Sequence, residues 1–150
     1  MDHDDIKWKL RYMDMAQLVS TWSRDPSSKI GAVAVGEKGQ ILSTGYNGFP
    51  RGIADTDDRL NDREEKLSRV IHAEMNVIFN ASFNGVSLNG SRVYVSGLPV
   101  CSDCAKGLIQ VGVKEIVVKK SDIEKSEFWK KSWEKSLSMF NEVKIKTTII

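Results

Sequence analysis

The chain has 150 residues, 41% of them hydrophobic, which allows one domain with a full core and excludes two ordinary ones. Lysine and arginine exceed aspartate and glutamate by only two (22 against 20) and both signs are scattered, so the general basic footprint of a nucleic-acid or membrane-surface binder is missing. The acidic start MDHDDIKWKL does not read as a secretory signal and no apolar run approaches a membrane span, so the chain is expected to be cytoplasmic.

In chain order, Leu10, Met13, Met15, Ala16, Val19 and Trp22 recur at helical spacing and predict an amphipathic helix over about residues 5 to 23. SRDPSSK breaks it. IGAVAV and ILSTGYN, joined by GEKGQ, read as a β-hairpin that leads into the Gly- and Pro-rich loop GYNGFPRG. The polar stretch DTDDRLNDREEKLS is expected to begin as an exposed loop and become helix, with a second helix over about Glu64 to Ala81 that carries His72. SRVYVSG is a third strand, CAKGLIQVG a helix ending at Gly112, and KEIVVKK a fourth strand. EKSEFWKKSWEKSLSMF places Phe128, Trp129, Trp133, Leu137 and Phe140 at helical intervals, all read as core, before the alternating final strand VKIKTTII. Helices alternating with strands imply a single α/β domain, a three-layer α/β/α sandwich around a central sheet.

The stretch RVIHAEMNVIF sets the titratable pair His72 and Glu74 among apolar neighbours. The two cysteines, Cys101 and Cys104, are spaced C-x-x-C at the expected start of the third helix, a pattern that in a reducing compartment points to metal binding or redox chemistry. Residues three apart share a helix face, and the positive helix terminus favours thiolates, so both sulfurs can point at one place. Zinc needs a third ligand, for which His72 and His3 are the histidines available. His3 lies in a terminus expected to fray, which favours His72. One histidine and two cysteines leave a fourth position open, as catalytic rather than structural zinc requires. Glu74, two residues beyond His72, can then handle the proton of a water at the metal. A dithiol redox protein is the rival reading, but it leaves Glu74 buried without a purpose.

H-x-E with P-x-C-x-x-C corresponds to the signature of the zinc-dependent nucleobase deaminases. The chain resembles the cytidine and deoxycytidylate deaminase superfamily over most of residues 20 to 120, through WSRDPSSKIGAVAV, STGYNGFPRG, DDRLNDREEKLSRVIHAEMNVIFNA and SGLPVCSDCAKGLIQVGVKEIVV. HAEMN with CSDC carries the superfamily, and GYNGFPRG narrows it towards nucleotide substrates. The resemblance implies a cytidine deaminase-like fold with a five-stranded mixed sheet. It implies one catalytic Zn2+ held by His72, Cys101 and Cys104, with Glu74 as proton shuttle. It places the Ala73 N–H on the cytosine O2, Asn47 on the sugar, Arg24 with Ser23 on the 5′-phosphate, and Tyr94 beside the base or sugar. The implied reaction is hydrolytic deamination of dCMP to dUMP and ammonia, which would supply dUMP for thymidylate synthesis. The family further suggests a homo-oligomer, commonly a hexamer, activated by dCTP and inhibited by dTTP, with Mg2+ accompanying the triphosphate. Tyr46, Gly48 and Arg51 of GYNGFPRG are the effector candidates.

Two departures stand out: Val100 separates Pro99 from Cys101, where the family usually has proline directly before the cysteine, and no spare Cys or His exists for a second zinc. The rivals within the resemblance are a deaminase of another cytosine nucleoside or nucleotide and one acting on tRNA adenosine, the latter disfavoured by the charge balance. A zinc-stabilised nucleotide-binding module without catalysis is the rival of a different class.

Overall fold

The computed structural model describes residues 1–150, and in it every strand of the sequence reading is present. The order is α1 (Ile6–Ser20), β1 (Gly31–Val35), β2 (Ile41–Tyr46), α2 (Asp57–Asn61), α3 (Arg63–Arg69), α4 (Ala73–Phe83), β3 (Arg92–Ser96), α5 (Ser102–Gln110), β4 (Glu115–Val118), α6 (Lys120–Glu124), α7 (Glu127–Glu142) and β5 (Lys146–Ile149). The strands form one mixed sheet in the order β2-β1-β3-β4-β5, antiparallel at β2-β1-β3 and parallel at β3-β4-β5. Helix α1 covers one face, where Met13, Ala16 and Val19 meet Val33, Val35, Tyr94 and Val117. On the other face α4, α5 and α7 bury Val77, Leu108, Trp133 and Phe140 against Ala32, Val93, Val95 and Ile116. No helix is long and apolar enough to cross a membrane.

Four expectations are corrected. The second helix, read as continuous over Glu64 to Ala81, is two helices, because Val70, Ile71 and His72 run extended between α3 and α4. Ile71 there exchanges backbone hydrogen bonds with Gly48 (2.8 and 3.1 Å), a distant pairing that outweighs local helical periodicity. Of the predicted apolar stripe, Leu10 in α1 and Trp22, in the turn just past its end, are half exposed, and Tyr12 joins the buried side instead. The terminus is tied rather than frayed: His3 is buried and its Nε2 lies 2.7 Å from the Glu37 carbonyl oxygen. In α7, Phe128 is 74% exposed, because Trp133 and Phe140, with the half-buried Trp129 packed against the same cluster, occupy the stripe that faces the core. A residue next to that stripe points about 100° away from it.

Close approach of α4 to the edge strand β2 depends on glycine. A Cβ on Gly45 would lie 2.5 Å from the Val77 nitrogen and 2.6 Å from the Ala73 carbonyl oxygen. Three polar side chains lock the same contact: Asn76 donates to the Tyr46 carbonyl, Asn80 to that of Thr44, and Ser43 to that of Val77. Gly45→Ala is therefore expected to push α4 off the sheet at a cost of roughly 1–3 kcal/mol. A thermal melt would show this as a loss of several degrees, and an unchanged melting temperature would contradict the close packing of this seam.

Candidate active site

The sheet register gathers the site at one end. Gly31 opens β1 opposite Tyr46, which closes β2, and opposite Ser96, which closes β3, so the segments before β1 and after β2 and β3 converge there. Parallel β4 ends on the same side and leads through α6 to the start of α7. A cavity of about 480 Å³ opens between these segments and the stretch from α3 to α4. That volume falls within the range of small-molecule sites.

On its floor two helix starts meet. His72 is the N-cap residue of α4 and Cys101 that of α5, with Cys104 one turn further on. His72 Nδ1 lies 3.4 Å from Cys101 Sγ and 3.3 Å from Cys104 Sγ, and the three donor atoms all fall within 4.8 Å of one another. A tetrahedral zinc with nitrogen at ~2.0–2.1 Å and sulfur at ~2.3 Å would separate such donors by roughly 3.6 Å, so these three fit zinc. The neighbouring Cys104 thiol, with His72 adding to the effect, holds the Cys101 thiol well below its usual range against the opposing effect of burial. Cys104 is itself pushed up by Cys101 and by burial. The inserted Val100 is fully buried and its carbonyl accepts from Ser136 of α7, so the extra residue is absorbed into the core while both cysteines still face His72.

Glu74 follows on the first turn of α4 and also lines the cavity. It is 4% exposed, and burial, seconded by the Cys101 thiolate, pushes its carboxyl up to about 7 against the pull of His72. An isolated buried carboxylate is costly unless something at the site rewards it. Ala73 lines the same floor, and its N–H, in the first turn of α4, has no partner within the helix.

The other predicted residues are dispersed. Asn47 reaches the cavity, but its Oδ1 accepts from the Ile30 N–H (2.9 Å) and its Nδ2 donates to the Ser28 carbonyl (2.8 Å), so it braces the 28–30 backbone. Ser23 is buried outside the cavity, donating to the Asn47 carbonyl. Arg24 does not line the cavity: its guanidinium, 55% exposed, pairs with Asp55 at 3.0 Å and Asp57 at 3.1 Å. Tyr94 points into the α1 layer on the far face of the sheet, 5.3 Å from the Tyr12 ring. Tyr46 and Gly48 line a separate, smaller cavity with Trp22 and Phe49, while Arg51 stacks over Phe83 and bonds to Asn80.

Several cavity residues escaped the sequence reading. Arg63, Lys66, Leu67 and Val70 come from α3 and its end, Asp25 from the loop before β1, and Phe128 with Trp129 from α7. Trp129 stands edge-on to the His72 ring at 6.5 Å. The α3 set could have been found from its spacing of i, i+3, i+4 and i+7, which is one helix face. Phe128 and Trp129 are adjacent and cannot both face a core, which was the available signal for the α7 pair.

A mixed sheet under helices, with a His/Cys/Cys donor set on two helix starts and a buried glutamate beside it, is the architecture of zinc-dependent nucleobase deaminases. Residues 6–120 match the family described as "Cytidine and deoxycytidylate deaminase zinc-binding region", and the chain belongs to that family. It is 34% identical over 142 residues to an "Uncharacterized deaminase in luxG 3'region" of Aliivibrio fischeri, covering 95% of this chain and 92% of that sequence. It is 37% identical over 121 residues to the deoxycytidylate deaminase of Homo sapiens, covering 76% of this chain but only 65% of the human one, just under two thirds. The crystal structure of a dCMP deaminase from cyanophage S-TIM5, in complex with dCMP and dUMP, shares the fold with a TM-score of 0.75 at 24% identity over 99% of this chain and all of that one (100%).

Proposed function

We propose that this protein hydrolyses the exocyclic amine of a cytosine nucleotide, with dCMP as substrate and dUMP and ammonia as products. The observation that carries the reading is Glu74, buried in the floor of an open cavity beside the His72, Cys101 and Cys104 donors. Relatives that are named deoxycytidylate deaminases support the choice of nucleotide.

His72, Cys101 and Cys104 would hold the zinc ion and leave one position open. When bound there, zinc supplies a water activated for attack near neutral pH. The Ala73 N–H donates to the cytosine O2 and fixes the pyrimidine edge over the floor. Glu74 takes a proton from the attacking water and delivers it to N3 as the water oxygen bonds to C4. It then moves the second proton to the amino nitrogen; the C4–N bond breaks and ammonia leaves. Leu98, Trp129 and Leu67 give the site its apolar walls, which limit competing water around the ring.

The loop GYNGFPRG, whose Tyr46 and Gly48 line the smaller cavity and which carries Arg51, is the place we assign to an effector such as dCTP or dTTP. Assembly into a hexamer belongs to the same reading. The test is loss of cytosine absorbance with dCMP, CMP, deoxycytidine and dCTP, each with and without added dCTP or dTTP. Selective loss with dCMP is expected, rising with dCTP and falling with dTTP. Equal turnover of deoxycytidine would remove the nucleotide specificity, and indifference to both triphosphates would remove the effector assignment.

A further inference from the structure

We propose that Arg63, at the start of α3, is the residue that recognises the 5′-phosphate and so selects a nucleotide over a free nucleoside. The inference rests on the deaminase reading above for the orientation of the base, but it concerns a contact that can be measured without turnover. Arg63, Lys66, Leu67 and Val70 all line the cavity, one stripe along α3 that ends two residues short of His72. Seven residues of helix span two turns, ~10 Å. A base held over Glu74 therefore leaves its sugar and phosphate to extend back along that stripe towards Arg63.

The other charged and amide groups that line the cavity near that end are already engaged, and the Ser28 hydroxyl that remains carries no charge. The backbone N–H groups of Ser27 and Ser28 both donate to Asp25 Oδ1, at 2.8 and 3.0 Å. Lys66 Nζ lies 3.3 Å from the same carboxylate and 3.2 Å from Ser27 Oγ, so its charge is spent on Asp25. Both ends of the Asn47 amide serve the backbone. Arg24, outside this cavity, bridges Asp55 and Asp57 and acts as a strut for the segment leading to α2. Arg63 alone among the cavity cations has no ion pair and no side-chain hydrogen bond, and it is exposed at the rim. A guanidinium offers paired donors that match phosphate oxygens, and here it adds the positive charge left over after Lys66 and Asp25 cancel.

The test compares wild type with Arg63→Gln, Arg63→Lys and Arg24→Gln, all at exposed positions where folding is checked by a melt. Titration calorimetry with dUMP and with deoxyuridine reads the phosphate contact directly, and kcat/KM for dCMP against deoxycytidine reads it in turnover. Arg63→Gln is expected to weaken dUMP binding relative to deoxyuridine on the order of 10- to 100-fold and to lower the preference for dCMP over deoxycytidine by a similar factor. Arg63→Lys should keep the charge but only part of the preference. Unchanged discrimination in Arg63→Gln, or a larger loss in Arg24→Gln, overturns the assignment. A wild type that deaminates none of these compounds sinks the catalytic reading instead, and the calorimetric comparison still decides the role of Arg63.

Discussion

Glu74→Gln is expected to cut turnover of dCMP by about 100-fold to ~10,000-fold while zinc content stays at that of the wild type. The size follows from the role: Glu74 handles both proton transfers, and glutamine keeps the shape of the side chain but cannot accept or deliver a proton. No other carboxylate can take over, since Asp25, the remaining one in the cavity, is committed to Lys66 and to the Ser27 and Ser28 N–H groups. Stability should hold or rise, because the amide of the variant would not carry the cost of a buried ionisable group. Metal analysis, a melt and an ammonia assay on one preparation check all three parts. Substantial deamination by the variant would show that the proton is carried elsewhere.

Cys104→Ser is expected to remove zinc and with it all activity. Cys104 is 1% exposed and sits one helical turn beyond Cys101, where its sulfur closes the donor set on His72. A serine hydroxyl is a far poorer zinc ligand than a thiolate, and two remaining donors do not make a zinc site. The effect is also visible without catalysis. Zinc that binds only the folded state at a hundred times its Kd adds ~2.7 kcal/mol of stability, worth roughly 5–10 °C in a domain of this size. A strong chelator should therefore lower the wild-type melting temperature by about that much and leave Cys104→Ser unmoved. Equal chelator sensitivity in both proteins would place the metal somewhere else.

The sequence was most informative where chemistry is written in local spacing. C-x-x-C at a helix start, H-x-E, and a proline-led turn each specify geometry within a few residues, and the structure brings His72, Cys101 and Cys104 together with Glu74 beside them. The succession of strands along the chain was equally legible, and their alternation with helices implied the layers; the order of strands within the sheet was not written there. What was hidden depended on contacts between distant segments. The break before His72 comes from Ile71 pairing with Gly48, which no periodicity in RVIHAEMNVIF reveals. Arg24 reads as a free cation in SRDPSS and is claimed by Asp55 and Asp57, residues more than a helix away in sequence. Tyr94 alternates with Val93 and Val95, and the sheet face it takes is set by which helix packs there. Arg63 and Lys66 looked like ordinary charges of a solvated helix until α3 was seen to form a wall of the cavity.

The cavity that these segments enclose makes one direct demand. Zinc-replete protein incubated with dCMP should release ammonia and dUMP in equal amounts, with cytosine absorbance lost in step. A folded, zinc-loaded protein that returned dCMP intact would contradict the account.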